Sequence, residues 1–219
     1  MPESSLQRRP LKSRDAPWAI RTAAWMARSG VSPNAISVAS VVFASAAGGC
    51  LLACPVAPAG IASRLLLVGA ACGIQLRLVC NLLDGMVAIE GQRRSATGGL
   101  FNEIPDRVAD AVILVCAGYA ARPLPHVTEL GWLCACLAIL TAYLRALGQT
   151  LGCGACFLGP MAKQQRMAAM TLAALAGAVA LPWSGRILGL ALGVIAAGTL
   201  LTCVRRIRFM ARQLQPVPP

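Results

Sequence analysis

Residues 81–110 read NLLDGMVAIEGQRRSATGGLFNEIPDRVAD, and five of the chain's 8 acidic residues fall inside them: Asp84, Glu90, Glu103, Asp106 and Asp110. Apolar sequence flanks the window on both sides. A carboxylate at membrane depth is costly, so by default it marks a function. The spacing adds information. Asn81 and Asp84 are three residues apart, and Asn102, Asp106 and Asp110 are four apart, so on helices each set shares one face. A short turn containing Gly91, Gly98 and Gly99 predicts two antiparallel helices whose faces meet.

Working outward, the 219 residues are 57% hydrophobic and only 13% charged, with a mean hydropathy of +0.67. A soluble domain carries roughly 25% charged residues. The chain therefore reads as an all-α, polytopic membrane protein. Six spans are expected, over 35–55, 62–89, 101–121, 128–150, 161–182 and 186–204, each near the roughly 20 residues that cross the hydrocarbon. They make one membrane domain over 31–205, with no internal repeat. Residues 1–30 read as a basic amphipathic juxtamembrane segment lying on the membrane surface, with Trp18 and Trp25 as anchors. Residues 206–219 read as a basic, proline-containing cytoplasmic tail, disordered from Gln213 onward. Residues 1–16 are mostly polar and Arg21 breaks the first apolar stretch, a poor match to a cleavable signal peptide.

Charge sets the orientation. Lys and Arg outnumber Asp and Glu by 20 to 8. With six spans, the N-terminal segment, the 90–100 and 151–166 connections and Arg205, Arg206, Arg208 and Arg212 all fall on one side. The positive-inside rule makes that side, and both termini, cytoplasmic. Topology and attraction to anionic membrane lipids account for most of this charge. No nucleic acid is indicated as a partner. Most of the ten cysteines sit in apolar runs and read as small hydrophobes. Cys153 and Cys156 lack the further ligands that a structural zinc needs.

Carboxylate and amide oxygens converging from two helices suit a hard cation, Mg2+ or Mn2+. Gly85 and Ala88 keep the helix surface thin where a ligand would approach. An alternative is an intramembrane salt-bridge network with Arg77, Arg107 and Arg145, which leaves the interleaved small residues unexplained. Arg145, Lys163 and Arg166 are expected near cytoplasmic membrane depth, as a site for an anionic group on an acceptor or as headgroup anchors.

The window resembles the signature of the CDP-alcohol phosphotransferases, D-x2-D-G-x2-A-R-x8-G-x3-D-x3-D. Aligned without gaps it gives Asn81, Asp84, Gly85, Ala88, Ile89, Gly98, Asn102 and Asp106. PNAIS at 33–37 is similar to the family's entry into its first span. The resemblance implies transfer of a phosphatidyl group from CDP-diacylglycerol, or a similar CDP-lipid, to an alcohol with release of CMP. It implies metal ligation by Asn81, Asp84, Asn102 and Asp106, with Asp106 as the base. Asn34, Ser37, Gly85, Ala88, Ser95 and Gly98 would contact the donor, and a homodimer is expected. Two signature aspartates are asparagine here and the arginine is Ile89. With that charge lost, either one metal binds, or Asp110 or Glu103 joins the site, or activity is lost; Asp110 is the best substitute and the second candidate for the base. Arg93 or Arg94 would replace the arginine. Two other classes stay open: a non-catalytic relative that binds a nucleotide-lipid or scaffolds a partner, and a small transporter. Against the transporter, the acids cluster at one membrane face.

Overall fold

The computed structural model describes residues 12–90, 97–122, 124–154 and 156–214. Among the described residues the fold has seven α-helices: α1 (Pro17–Arg28), α2 (Pro33–Ala53), α3 (Ile61–Glu90), α4 (Gly98–Ala120), α5 (Val127–Thr150), α6 (Lys163–Val179) and α7 (Ser184–Leu214). Short 3-10 turns occupy Lys12–Asp15 and Leu181–Trp183, and no strand occurs among the described residues.

Local chemistry explains where α2 begins. Pro33 takes the first helical position, where its missing N–H costs nothing, and the Ser32 side chain accepts a hydrogen bond from Ala35 N at 3.2 Å. The expected start at 35 is thus two residues late. At the other end of the chain α7 runs to Leu214, ten residues beyond the expected 204. Charge at Arg205, Arg206 and Arg208 ends an apolar run but not a helix, because arginine is a good helix former. Gln213 and Leu214, expected as disordered tail, close that helix. The rest of the tail lies outside the described residues, as do Arg93, Arg94 and Ser95.

Among the described residues four stretches are long and apolar enough to cross a membrane: Pro33–Ala53, Ile61–Glu90, Val127–Thr150 and Leu181–Leu214. α4 and α6, both expected as spans, do not qualify by length and composition. α4 carries Glu103, Asp106, Arg107 and Asp110 in its first half, and α6 has 17 residues.

The helices pack as a ring in the order α2, α4, α5, α7, α6, α3 and back to α2, with α4 also touching α7 and with α1 laid against α3. Small residues let the backbones approach. A Cβ on Gly118 would lie 2.9 Å from the Val127 carbonyl oxygen and 3.0 Å from the Gly131 Cα, so α4 and α5 cross with no room for a side chain. Gly73 meets Ala47 in the same way between α3 and α2. The buried core fills the ring with Leu51, Leu67, Ile74, Ile113, Leu114, Met167, Met170, Leu192 and Ile195.

α3 and α4 follow one another in sequence and touch directly, but only slightly, since each packs mainly on α2. Their polar faces are joined by two long side chains, Arg77 and Lys163.

Candidate active site

The charged side chains gather at one end of the ring. They come from the first halves of α2, α4 and α6 and the last halves of α3, α5 and α7, the set that an up-and-down bundle brings together. Asp84, Asp106 and Asp110 are buried here, along with Arg77, Arg166 and Arg206.

Asp84 on α3 is fixed by two neutral donors. Ser37 Oγ on α2 donates to its Oδ2 at 2.8 Å, and Gly85 N donates to its Oδ1 at 2.5 Å. Ser37, expected as a donor-lipid contact, therefore touches a signature acid directly. Asn34 lies one turn earlier on α2 and is half-buried. Gly85 and Ala88 are half-buried on α3, and Gly98 is half-buried at the start of α4.

Asp106 on α4 meets two cations. Lys163 Nζ donates to Oδ2, and Arg77 Nη2 reaches Oδ1 at 3.4 Å, which leaves Oδ1 the less engaged oxygen. The same Arg77 nitrogen donates to the Asp106 carbonyl at 3.2 Å. Pro105 precedes this residue inside α4, where a proline removes one helical hydrogen bond.

Asp110 lies one turn further on. Arg77 Nη2 donates to Oδ1 at 2.5 Å and Arg166 Nη2 donates to Oδ2 at 2.9 Å. Both of its oxygens are taken by buried arginines. Arg166 also donates from Nη1 to the Met161 carbonyl at 3.2 Å and to Thr141 Oγ1 at 3.4 Å, which fastens α6 to α5. Arg77 Nε and Nη1 and Arg166 Nε have no partner among the described residues.

Lys163 bridges the helices. Its ammonium donates to Asn81 Oδ1 on α3 as well as to Asp106. Asn102 is exposed on α4. Glu103 is paired with Arg107 on its own helix and with Arg145 on α5, at the rim. The three cations expected to act together on an acceptor thus have different partners: Lys163 and Arg166 face Asp106 and Asp110, and Arg145 faces Glu103. The salt-bridge network with Arg77, Arg107 and Arg145 is present. It coexists with the oxygen cluster and does not replace it, because Asp84 stays outside every ion pair among the described residues.

Sequence reasoning named Arg77 as a partner of the acids in a salt-bridge network, but read Lys163 only as part of a basic site. Arg77 is an arginine within an apolar run, one helical turn before Asn81 and on the same face.

The donor set fits a hard divalent ion. Asp84, Asp106 and Asn81 offer oxygen only, the preference of Mg2+ and Mn2+. Among the described residues no three His, Cys, Asp or Glu side chains converge as a metal-holding group. An ion there would draw on the asparagine amide and on ligand oxygens. A cavity of about 230 Å3 lined by Cys54, Arg122 and Leu188 lies at the opposite end of the bundle, away from these groups.

Known proteins share this fold. The crystal structure of Mycobacterium tuberculosis phosphatidylinositol phosphate synthase with CDP-DAG bound superposes with a TM-score of 0.73 at 16% identity, covering 93% of this chain and 100% of that one. The same enzyme in complex with manganese and citrate gives 0.72 at 16% identity, over 91% and 93% of the two chains. At these identities the likeness shows the fold. No protein-family model matches the chain. In sequence, the archaetidylinositol phosphate synthase of Methanothermobacter thermautotrophicus is 30% identical over 167 residues, which span 76% of this chain and 81% of that protein. A relationship of that extent shows the family, and the chain belongs to the CDP-alcohol phosphatidyltransferase family.

Proposed function

We propose that this protein transfers a phosphatidyl group from CDP-diacylglycerol, or a similar CDP-lipid, to an alcohol acceptor and releases CMP. The observation that carries the reading is Asp84 and Asp106, buried on two helices at one end of the ring, with Asn81 beside them. They keep the family spacing in a chain that belongs to the family. The acceptor hydroxyl attacks the phosphorus that carries the lipid, the bond from that phosphorus to the CMP oxygen breaks, and Asp106 takes the hydroxyl proton. Asp106 Oδ1, the less engaged oxygen, is the one placed to do so. Bound Mg2+ or Mn2+ supplies charge neutralisation of the diphosphate and of CMP as it leaves. Asn81, Asp84, Asn102 and Asp106 are the ligand candidates, and Ser37 orients Asp84.

Asn34, Gly85, Ala88 and Gly98 line the approach of the donor; Ser95, the other donor contact implied by the family resemblance, lies outside the described residues. Arg145, at the rim, favours an acceptor that carries an anionic group such as a phosphate, and Lys163 and Arg166, held by Asp106 and Asp110, add positive potential behind it. The archaeal relative is named for a phosphate-bearing product, which supports the same choice. Six spans, with α4 and α6 crossing inside the ring, account for the placement of all the site residues at one end. The basic segments then put that end, and both termini, on the cytoplasmic side of the cytoplasmic membrane. α1 lies at the interface, with Trp18 and Trp25 exposed and Ala19 and Ala23 packed inward. The protein works as a homodimer.

The decisive experiment incubates purified protein with CDP-diacylglycerol, Mn2+ or Mg2+, and pooled alcohols with and without phosphate, and identifies the lipid products by mass spectrometry. CMP and a new phospholipid are expected, and both should disappear in excess chelator and return with added metal. A second reading, a catalytically impaired relative that binds a CDP-lipid, is favoured by the asparagines at 81 and 102. It predicts binding of labelled CDP-diacylglycerol with no CMP release.

A further inference from the structure

We propose that the Lys163 ammonium is a tethered cation inside the oxygen cluster, standing where a second divalent ion would otherwise be held, so that each chain takes one divalent ion. The inference rests on the reading of the chain as a metal-dependent transferase.

Lys163 is the first residue of α6, and its Nζ donates to Asn81 Oδ1 on α3 and to Asp106 Oδ2 on α4. These are two of the hard oxygens that the helix spacing gathers for a divalent ion. An ammonium carries three N–H donors and no acceptor, so it takes up the same lone pairs that a hard cation needs. Asn81 suits this arrangement, because its amide oxygen accepts from the ammonium without adding charge.

The charge balance points the same way. The buried carboxylates Asp84, Asp106 and Asp110 are matched in number by Arg77, Arg166 and the half-buried Lys163. Arg206, the third buried arginine at this end, bonds to the Leu158 and Thr141 carbonyls and pairs with none of these acids among the described residues. The acids and the cations that face them are therefore balanced before any ion enters. One divalent ion adds two positive charges, which the two negative charges of a CDP-lipid diphosphate offset. A second would leave two positive charges unmatched where the effective dielectric is low. Asp84 is bonded to the Ser37 hydroxyl and the Gly85 N–H and has no ion pair among the described residues. It is the carboxylate left open to the single ion.

The test counts bound Mn2+ on the full-length protein in detergent by electron paramagnetic resonance, beside CMP release from CDP-diacylglycerol. Wild type should hold one Mn2+ per chain. Asn81→Asp should also hold one, because the ammonium still fills the position. The double variant Asn81→Asp/Lys163→Met should hold two. Mn2+-dependent CMP release with two ions per wild-type chain overturns the tethered cation and leaves the transferase reading intact. No bound Mn2+ and no CMP release overturn both. A double variant that folds and still holds one ion also overturns the proposal. If the double variant does not fold, the wild-type count decides alone.

Discussion

Arg77 on α3 and Asp110 on α4 form a fully buried ion pair at 2.5 Å, and it joins two helices that otherwise touch only slightly. Arg166 on α6 closes the other side of Asp110 at 2.9 Å. Asp110 is thus the point at which three helices of the ring are tied together. A carboxylate with both oxygens committed to buried guanidinium groups is poorly placed to receive a proton from a substrate. This assigns Asp110 to positioning and leaves the chemistry to Asp106.

Removing Asp110 should therefore damage the fold before it damages the reaction. Asp110→Ala leaves two buried arginines without their counter-charge, and breaking a buried pair costs about 3–5 kcal/mol. The variant is expected to melt at a clearly lower temperature in detergent, and Asp110→Asn, which keeps an acceptor oxygen, at an intermediate one. If Asp110→Ala melts like wild type yet releases no CMP, Asp110 belongs to the chemistry.

Asp106→Asn should show the opposite pattern. The amide keeps an oxygen for Lys163 but cannot take the acceptor's proton, and loss of general base catalysis costs about 100-fold to 10,000-fold in rate. CDP-lipid binding should stay close to wild type, and the melting temperature should fall no further than in Asp110→Asn, since both amides keep an acceptor oxygen for their cations. Turnover within a few-fold of wild type would move the base elsewhere.

Much of this was legible in the sequence, for identifiable reasons. α2, α3 and α5 are long apolar runs bounded by proline, glycine or charge, so hydropathy places them to within a few residues. The 81–110 window reports its own faces, because i, i+3 and i, i+4 spacing is a property of one helix. What linear spacing cannot report is which side chain crosses from one helix to another. Arg77 and Asp106 are 29 residues apart and meet because the long guanidinium side chain reaches from α3 to α4. Lys163 reaches Asn81 across 82 residues by way of the α6–α3 contact, so it read as part of a basic site and not as a partner of the acids. α4 is ambiguous for a different reason: the charges that make the site are the ones that lower its hydropathy.

Ser37 tests how far the second ring of contacts matters. Its hydroxyl fixes the Asp84 carboxylate from α2 at 2.8 Å, and its removal changes no charge. Outer partners of metal ligands typically contribute 10-fold to 100-fold in affinity. Ser37→Ala should bind Mn2+ about tenfold more weakly, while the lost hydrogen bond costs only about 1 kcal/mol of stability. Unchanged Mn2+ affinity would mean that Asp84 does not ligate the ion, or does not need Ser37 to aim it.

The two asparagines should behave differently when aspartate is restored. Asn81 already accepts from Lys163, so a carboxylate introduced at position 81 would meet an ammonium first, and its charge would be offset there. Asn102 is exposed, one turn before Asp106 on the same face of α4. A carboxylate at 102 adds negative charge on that face that no lysine has claimed, and a unit charge near a partly buried ion is worth several kcal/mol at most and about tenfold in affinity once solvent screens it. Asn102→Asp is therefore expected to tighten Mn2+ binding about tenfold, and Asn81→Asp alone to change it little. Turnover need not rise with either, because tighter ground-state binding is not transition-state stabilisation. Calorimetric titration of the two single variants separates the cases. Tightening by Asn81→Asp and none by Asn102→Asp would place the ion on the α3 side, with Lys163 displaced from Asn81 when metal binds.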